Sequence, residues 1–344
     1  MGEIRVALAG VGNLSSSLVQ GTFYYKKESI GLMHPDLGGY RPEHIKFCAA
    51  FDISREKVGK DLSEAIFSKP NNAPKITNIP KTRVIVKMGP SPDNSGKDAM
   101  TSIEKADAEQ VDVASELKRS KTDLMVNLIS GGSDKASKLY AKAALEAGCG
   151  FINATPSSIA SDQAWAKNYK SEGLPVAGDD LLDQIGATAL HKGILEFLNS
   201  RGVRLDESYQ LDVGGGTESI NTLEKTKDIK RSIKTAAVTG SVPYQFPLVS
   251  GSTDFVDFLD NKRDSFFWVK GRYYGGAAFT LDLKLSSVDA PNGGSILLDA
   301  IRALKVAKDK GLKGVVNPIC SYAFKRAERK SLEEAHREFM ELVG

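Results

Sequence analysis

Cysteine and histidine are scarce in this 344-residue chain, and that scarcity excludes several chemistries. The three cysteines, Cys48, Cys149 and Cys320, stand far apart and form no Cys-x-x-Cys pair. The four histidines, His34, His44, His191 and His336, do not cluster. A zinc centre of the usual Cys/His spacing is therefore not expected, and no metal ligands are assigned. An odd, sparse cysteine count suits a reducing cytosol. No apolar run approaches the ~18 residues that would span a bilayer, so no membrane partner is expected. The N-terminus leads straight into a strand pattern, without the regions of a secretory signal. A dominant charge sign is missing too. Lys and Arg number 46 against 43 Asp and Glu, a net +3. That balance does not suit a general nucleic-acid binder, though it permits a local basic pocket for a small anion. Internal repeats and low-complexity segments are absent.

What is present is length for one large or two medium domains, with 41% hydrophobic residues to build a core. Ile4 to Ala9 is a short apolar run that ends in Gly10-Val11-Gly12-Asn13, and Ser15 to Tyr25 then reads as a helix. Strand, glycine turn and helix open a dinucleotide-binding unit. The third fingerprint position is Ser15, not glycine, so the turn alone is a weak signal. A second strand, Ile45 to Phe51, supports it by ending in Asp52, where a carboxylate can accept hydrogen bonds from a ribose. A Gly-, Pro- and His-rich loop, 26–44, lengthens the spacing.

Further strands are expected at Thr82–Val86, Leu124–Ile129, Gly150–Asn153 and Leu174–Ala177, with helices at Ala106–Ser120 and Lys135–Ala147. Residues 68–80 read as a loop. This alternation predicts an α/β fold, a Rossmann-like doubly wound parallel sheet that binds ligands beyond its strand ends. After about residue 203 the pattern changes. Tyr209–Val213, Phe266–Tyr274 and Ala278–Leu285 read as strands of an inserted mixed sheet suited to catalysis and oligomer contacts. Pro291–Lys310 reads as a long helix. The expected division is residues 1–203, 204–290 and a returning segment 291–344.

The stretch 218–234, after Gly214-Gly215-Gly216, carries the chemistry. Lys230 and Lys234 lie four apart and share one face of a helix. Each should depress the other's pKa, making a proton carrier near neutral pH. A solvated basic face is the plainer alternative. Other features of the second half stand out with this pair: Glu218, Asp260-Asn261-Lys262, Asp289-Ala290-Pro291-Asn292, and Lys325.

These features, in order along nearly the whole chain, resemble the myo-inositol-1-phosphate synthases of the shorter bacterial and archaeal branch. The resemblance also covers Ser16-Ser17-Leu18, Ala50-Phe51-Asp52-Ile53, Ile152-Asn153-Ala154, Gly178-Asp179-Asp180 and Gln184-Ile185-Gly186-Ala187-Thr188. It implies an isomerase that uses bound NAD to oxidise carbon 5 of glucose 6-phosphate. The ring then closes from carbon 6 to carbon 1, and the hydride is returned. It implies catalytic roles for Lys230, Lys234, Lys262, Lys325, Asp289 and Glu218, the last standing where the family usually has aspartate. Lys234 and Lys262 would serve the oxyanion and the phosphate, and Lys230 the proton relay at carbon 5. It implies NAD contacts at Gly10, Val11, Gly12, Asn13, Leu14, Ser15, Asp52, Ile53, Ser130, Ala154, Asp179, Asp180 and Lys192, and a cytoplasmic homotetramer. A carboxylate pair beside a phosphate can also recruit a divalent or monovalent cation of unspecified identity.

One departure bears on the substrate. The family pattern after Gly-Asp-Asp has an apolar residue, then lysine and serine. Here Leu182 and Asp183 take the last two places. An acid there repels a phosphate of roughly −1.5 to −2 charge. A related enzyme acting on another sugar phosphate or polyol, or a weakly catalytic sensor of NAD or sugar phosphate, would also fit that change.

Overall fold

The fold follows from short apolar runs that are buried on both faces. In the computed structural model, which describes residues 2–92 and 103–344, β1 (Ile4–Ala9), β2 (Ile45–Asp52), β3 (Val86–Met88), β4 (Leu124–Asn127), β5 (Gly150–Asn153) and β6 (Pro175–Gly178) belong to one parallel sheet. β4, β5 and β6 are buried at every residue, as strands covered by helices on both sides must be. With β11 (Gly314–Val315) the order is β11-β6-β5-β4-β1-β2-β3. The chain reverses direction across the sheet between β1 and β4, which opens a crevice at their carboxyl ends. The helix Asn13–Tyr24 starts there. Gly10 turns into it with φ of 88°, and a Cβ at that position would lie 2.8 Å from the Leu128 carbonyl oxygen. Only glycine suits both constraints.

A second, four-stranded sheet is built from β7 (Arg204–Gly214), β8 (Leu248–Phe255), β9 (Lys262–Arg272) and β10 (Ala278–Val288), in the order β10-β9-β7-β8. β7 runs parallel to β8, and β9 is antiparallel to both β7 and β10. Its inner face packs on the helices Ala187–Ser200 and Lys227–Thr239 through Leu195, Leu205, Val238 and Val269. Towards the strand ends that inner face turns polar, with Gln210 and Asp212 fully buried. Tyr209 and Phe266 stand on the outer face and are exposed.

The helix Asp289–Asp309 leaves β10 and returns to the first sheet, nearly all of its length buried. Pro291 falls within its first turn, where a missing N–H costs no helical bond. Gly293 lets it approach the dinucleotide turn, since a Cβ there would meet Leu14 at 2.7 Å.

Two expected elements differ, and one strand is additional. The strand expected at Thr82–Val86 begins only at Val86, because Asp61 accepts hydrogen bonds from the backbone of Thr82 (3.0 Å) and Arg83 (2.7 Å) and pins a turn there. The helix expected from Ala106 starts at Val113, capped by Asp112, while the Ala106 N–H bonds Ile53 O at 2.9 Å in extended pairing. β8 is an additional strand, hidden in the sequence because Ser250, Gly251, Ser252 and Asp254 interrupt its apolar pattern with residues of little strand signal.

Candidate active site

Two clefts meet at the end of the glycine turn. The first is lined by Gly10 to Asn13, Asp52, Ile53, Ser130 and the loop residues Pro70 and Asn71. Asp52 ends β2 and accepts from the N–H groups of Val11 (2.7 Å), Ile53 (2.8 Å) and Ser54 (2.9 Å). Its carboxylate is thereby fixed at the slot. Asn13 accepts from the N–H groups of Asn72 (2.8 Å) and Ala73 (2.9 Å), which holds the 70–73 loop across the turn. Among the described residues no side chain caps the first turn of the helix Asn13–Tyr24, and no acid lies in that turn. Its free amides are suited to a diphosphate. The slot, the uncapped helix end and the carboxylate at β2 fit a dinucleotide.

The second cleft, of about 220 Å³, shares Gly12, Asn13 and Ser130 with the first and adds Leu14 and Ala154. Into it project Lys230, Lys234, Arg263 and Lys325 against Asp180, Asp183, Asp212, Glu218 and Asp289. Each cation already has an acidic partner. Lys230 bonds Glu218, and Lys234 Nζ lies 2.7 Å from Asp212 Oδ2. Arg263 holds Asp289 through two nitrogens at 2.7–3.0 Å, and Lys325 Nζ lies 3.4 Å from Asp180. Asp180 has a positive φ of 60°, uncommon for a residue with a Cβ, and its second carboxylate oxygen has no partner among the described residues.

The electrostatics separate the two helix lysines. Burial pulls the Lys234 ammonium below its ordinary range, and Arg263 and Lys325 add to that, while Asp212 only partly offsets it. Burial also acts on Lys230, but Glu218 and Asp180 outweigh it and hold its pKa up. Each lysine has a carboxylate at its ammonium, and the balance between that carboxylate and burial, more than the four-residue spacing, sets the direction of each shift. Burial pushes the Asp183 carboxyl up, with Asp289 and Asp180 adding to the effect. Beneath Lys234 a buried chain continues. Gln210 Nε2 donates to both Asp212 oxygens at 3.0 Å, and its amide oxygen lies 3.2 Å from His191.

Four expected site residues lie elsewhere. Lys262 points outward on β9, on the face of Asp264, and Arg263 beside it enters the cleft instead. Residues alternate across a strand, so one position decides the face. Asp179 is fully buried and accepts from the N–H groups of Ile159, Ala160 and Ser161 at 3.0–3.1 Å, bracing the loop rather than lining either cleft. Ser15 donates to Gly10 O at 2.5 Å and shapes the turn from inside. Lys192 lines a separate cavity with Leu182. Asp183 does enter the cleft. Asp212, Arg263 and Ser252 are cleft residues that the sequence reading missed; the Asp212 position beside Gly214 was the available signal.

Among the described residues, no three carboxylate, imidazole or thiolate groups converge to hold a metal ion. No helix is long and apolar enough to cross a membrane, again among the described residues.

A slot at a glycine turn that opens into a cleft of paired cations and carboxylates defines an α/β protein with a charged candidate active site at the sheet's carboxyl edge. The model of the myo-inositol-1-phosphate synthase family matches residues 186–290. The chain is 40% identical, over a 353-residue alignment, to inositol-3-phosphate synthase of Mycolicibacterium smegmatis, covering 99% of this chain and 97% of that protein. It is 42% identical to the enzyme of that name from Mycobacterium tuberculosis strain H37Rv, covering 94% and 90%. The crystal structure of Ari2 superposes with a TM-score of 0.80 at 28% identity, over 99% of both chains. Inositol-3-phosphate synthase of Caenorhabditis elegans shares the fold, with a TM-score of 0.76 at 12% identity, over 100% of this chain and 86% of that one. The chain belongs to the myo-inositol-1-phosphate synthase family.

Proposed function

We propose that this chain is an NAD-dependent inositol-3-phosphate synthase, converting D-glucose 6-phosphate to 1D-myo-inositol 3-phosphate in the cytoplasm. The supporting observation is the shared wall of Gly12, Asn13 and Ser130, through which the dinucleotide slot opens onto the lysine cleft. NAD, when bound, supplies an acceptor for the carbon 5 hydride and a donor for its return, so no net redox results. Gly10 to Leu14, Asp52, Ile53, Ser130 and Ala154 are the residues that would hold it. Ketone formation at carbon 5 acidifies the carbon 6 proton. Lys234, whose proton is loosened by burial, is suited to carry that proton. The carbon 6 carbanion attacks carbon 1, a C–C bond forms, and the carbon 1 oxygen takes a proton. Lys230, held as an ammonium by Glu218 and Asp180, and Arg263 and Lys325 supply fixed positive charge to the developing oxyanions. Asp289 orients Arg263.

A homotetramer built through the outer face of the mixed sheet is part of the same proposal. Tyr209 and Trp268 stack there at 5.6 Å, with Phe266 and Val249 exposed alongside. A cation, if one is used, would be shared between the cleft carboxylates and the substrate phosphate.

The test is direct. Enzyme, NAD and glucose 6-phosphate are incubated and inositol monophosphate is sought by NMR. No product at saturating substrate overturns the proposal. A second reading, another sugar phosphate or polyol as substrate, is favoured by one observation. All four cleft cations already have carboxylate partners, and Asp183 adds a fifth acid where a phosphate would be repelled. A panel of hexose phosphates and free polyols, with substrate loss and product formation followed by NMR, separates the two.

A further inference from the structure

Behind the catalytic cleft lies another cavity, of about 450 Å³, that the proposed chemistry does not use. The wall between the two is a pair of hydrogen-bonded segments. Leu182 N–H donates to Ala323 O at 2.8 Å, and Lys325 N–H to Asp180 O at 2.8 Å. Leu182 and Phe324 face the rear cavity, and Lys325 borders both.

The rear cavity has unspent positive charge. Lys192, on the helix Ala187–Ser200, is only 9% exposed. Its ammonium donates to the Lys330 carbonyl at 3.1 Å. An ammonium has three N–H donors, so two have no acceptor among the described residues. Burial lowers its pKa, with Glu196 opposing, and a bound anion would relieve that cost. Arg326 donates to Ser158 Oγ and has no acidic partner among the described residues. Ser321 Oγ is buried without a partner, again among those residues. The acids nearby are already engaged. Glu328 lies 3.3 Å from Lys330, Glu338 bonds Lys330 at 2.5 Å, and Glu196 accepts from the Leu332 N–H at 3.0 Å.

We propose that this rear cavity is a second anion site, which takes a phosphate dianion or a small phosphomonoester between Lys192 and Arg326. Two cations with serine hydroxyls offer donors for the three oxygens of a phosphate head, more than a carboxylate can use. The cavity exceeds a bare phosphate and leaves room for a small organic body. Occupation bears on the segment that carries Lys325, so the site is placed to modulate the cleft without opening into the substrate position.

Titration calorimetry tests this on the full chain, at fixed ionic strength set with chloride. The probes are inorganic phosphate and glycerol 2-phosphate, used separately to distinguish the head group alone from the ester. Variants Lys192→Met, Arg326→Met and Arg263→Met are compared, with folding checked by circular dichroism. Binding should weaken at least about tenfold in Lys192→Met and in Arg326→Met, and persist in Arg263→Met, which alters only the catalytic cleft. Loss in Arg263→Met alone would put the phosphate in the cleft and overturn the proposal. So would binding unaffected by either rear-cavity variant, or no binding of either probe at ~10 mM. If Lys192→Met does not fold, the half-buried Arg326 decides on its own.

Discussion

The buried pair Lys234–Asp212 offers the sharpest test of how the cleft is held. Its atoms lie 2.7 Å apart, with side chains 7% and 1% exposed. At an effective dielectric constant of about 20, the gross attraction at that distance is about 6 kcal/mol. Desolvation of two buried ions offsets much of it, so the pair adds little net stability. Removing one partner is different, because the remaining charge stays buried. Lys234→Met leaves Asp212 with the Gln210 amide as its hydrogen-bond donor, at 3.0 Å. Asp212→Asn leaves an ammonium facing Arg263 and Lys325. Each single variant should lose about 3–5 kcal/mol, and the double variant much less, which gives a coupling of at least about 2 kcal/mol. Urea midpoints at constant m-value measure this. The pH dependence has a definite sign. Asp212 raises the Lys234 pKa, so Asp212→Asn depresses it further below its unfolded value. The folded variant then binds fewer protons than the unfolded chain, and its stability rises with pH between the two pKa values. Its deficit should therefore shrink above neutral pH. Costs that add within about 0.5 kcal/mol would refute the coupling.

Arg263→Ala should lower turnover at least about 100-fold, while Lys262→Ala should stay near wild type, because only Arg263 enters the cleft; steady-state kinetics with saturating cofactor decide. Burial holds His191 down to about 4, so its contribution is complete above its ordinary pKa of 6.5 and is lost as pH falls towards 4. The loss is about 3 kcal/mol, and His191→Gln should flatten the urea-midpoint profile in that window. Asp183→Ser should lower the Michaelis constant for glucose 6-phosphate by about tenfold, one charge-assisted hydrogen bond's worth; Leu182 faces the rear cavity and needs no change. NAD should bind more tightly than NADP in calorimetry, since the Asp52 carboxylate at the slot repels a 2′-phosphate.

The parts legible in the sequence are those where one local rule decides. β1, β4 and β5 are apolar runs between turn residues, and Gly10 and Asp52 stand where strand ends place them. The mixed sheet resists that reading because its face is inverted. Along β7 the apolar Tyr209, Leu211 and Val213 lie on the more exposed side, while Ser208, Gln210 and Asp212 are buried. Period-two hydropathy would turn Asp212 to solvent. The same one-residue ambiguity separates Lys262 from Arg263. Adjacent cations give no hint of which meets Asp289, and only the pairing of Arg263 with Gly214 and Ser287 fixes it. Asp179 and Asp180 pose the problem again at a strand end. One carboxylate accepts three backbone amides and braces a loop; its neighbour, in the cleft, keeps an oxygen without a partner among the described residues. The inversion has a physical consequence for assembly. A sheet that buries polar residues for chemistry must leave apolar ones on its other side, and the Tyr209–Trp268 stack with Phe266 is what it leaves. Those residues form the exposed apolar patch that the proposed subunit pairing would cover. The demand for a charged cleft and the proposed pairing of subunits thus arise from the same alternation in β7 and β9.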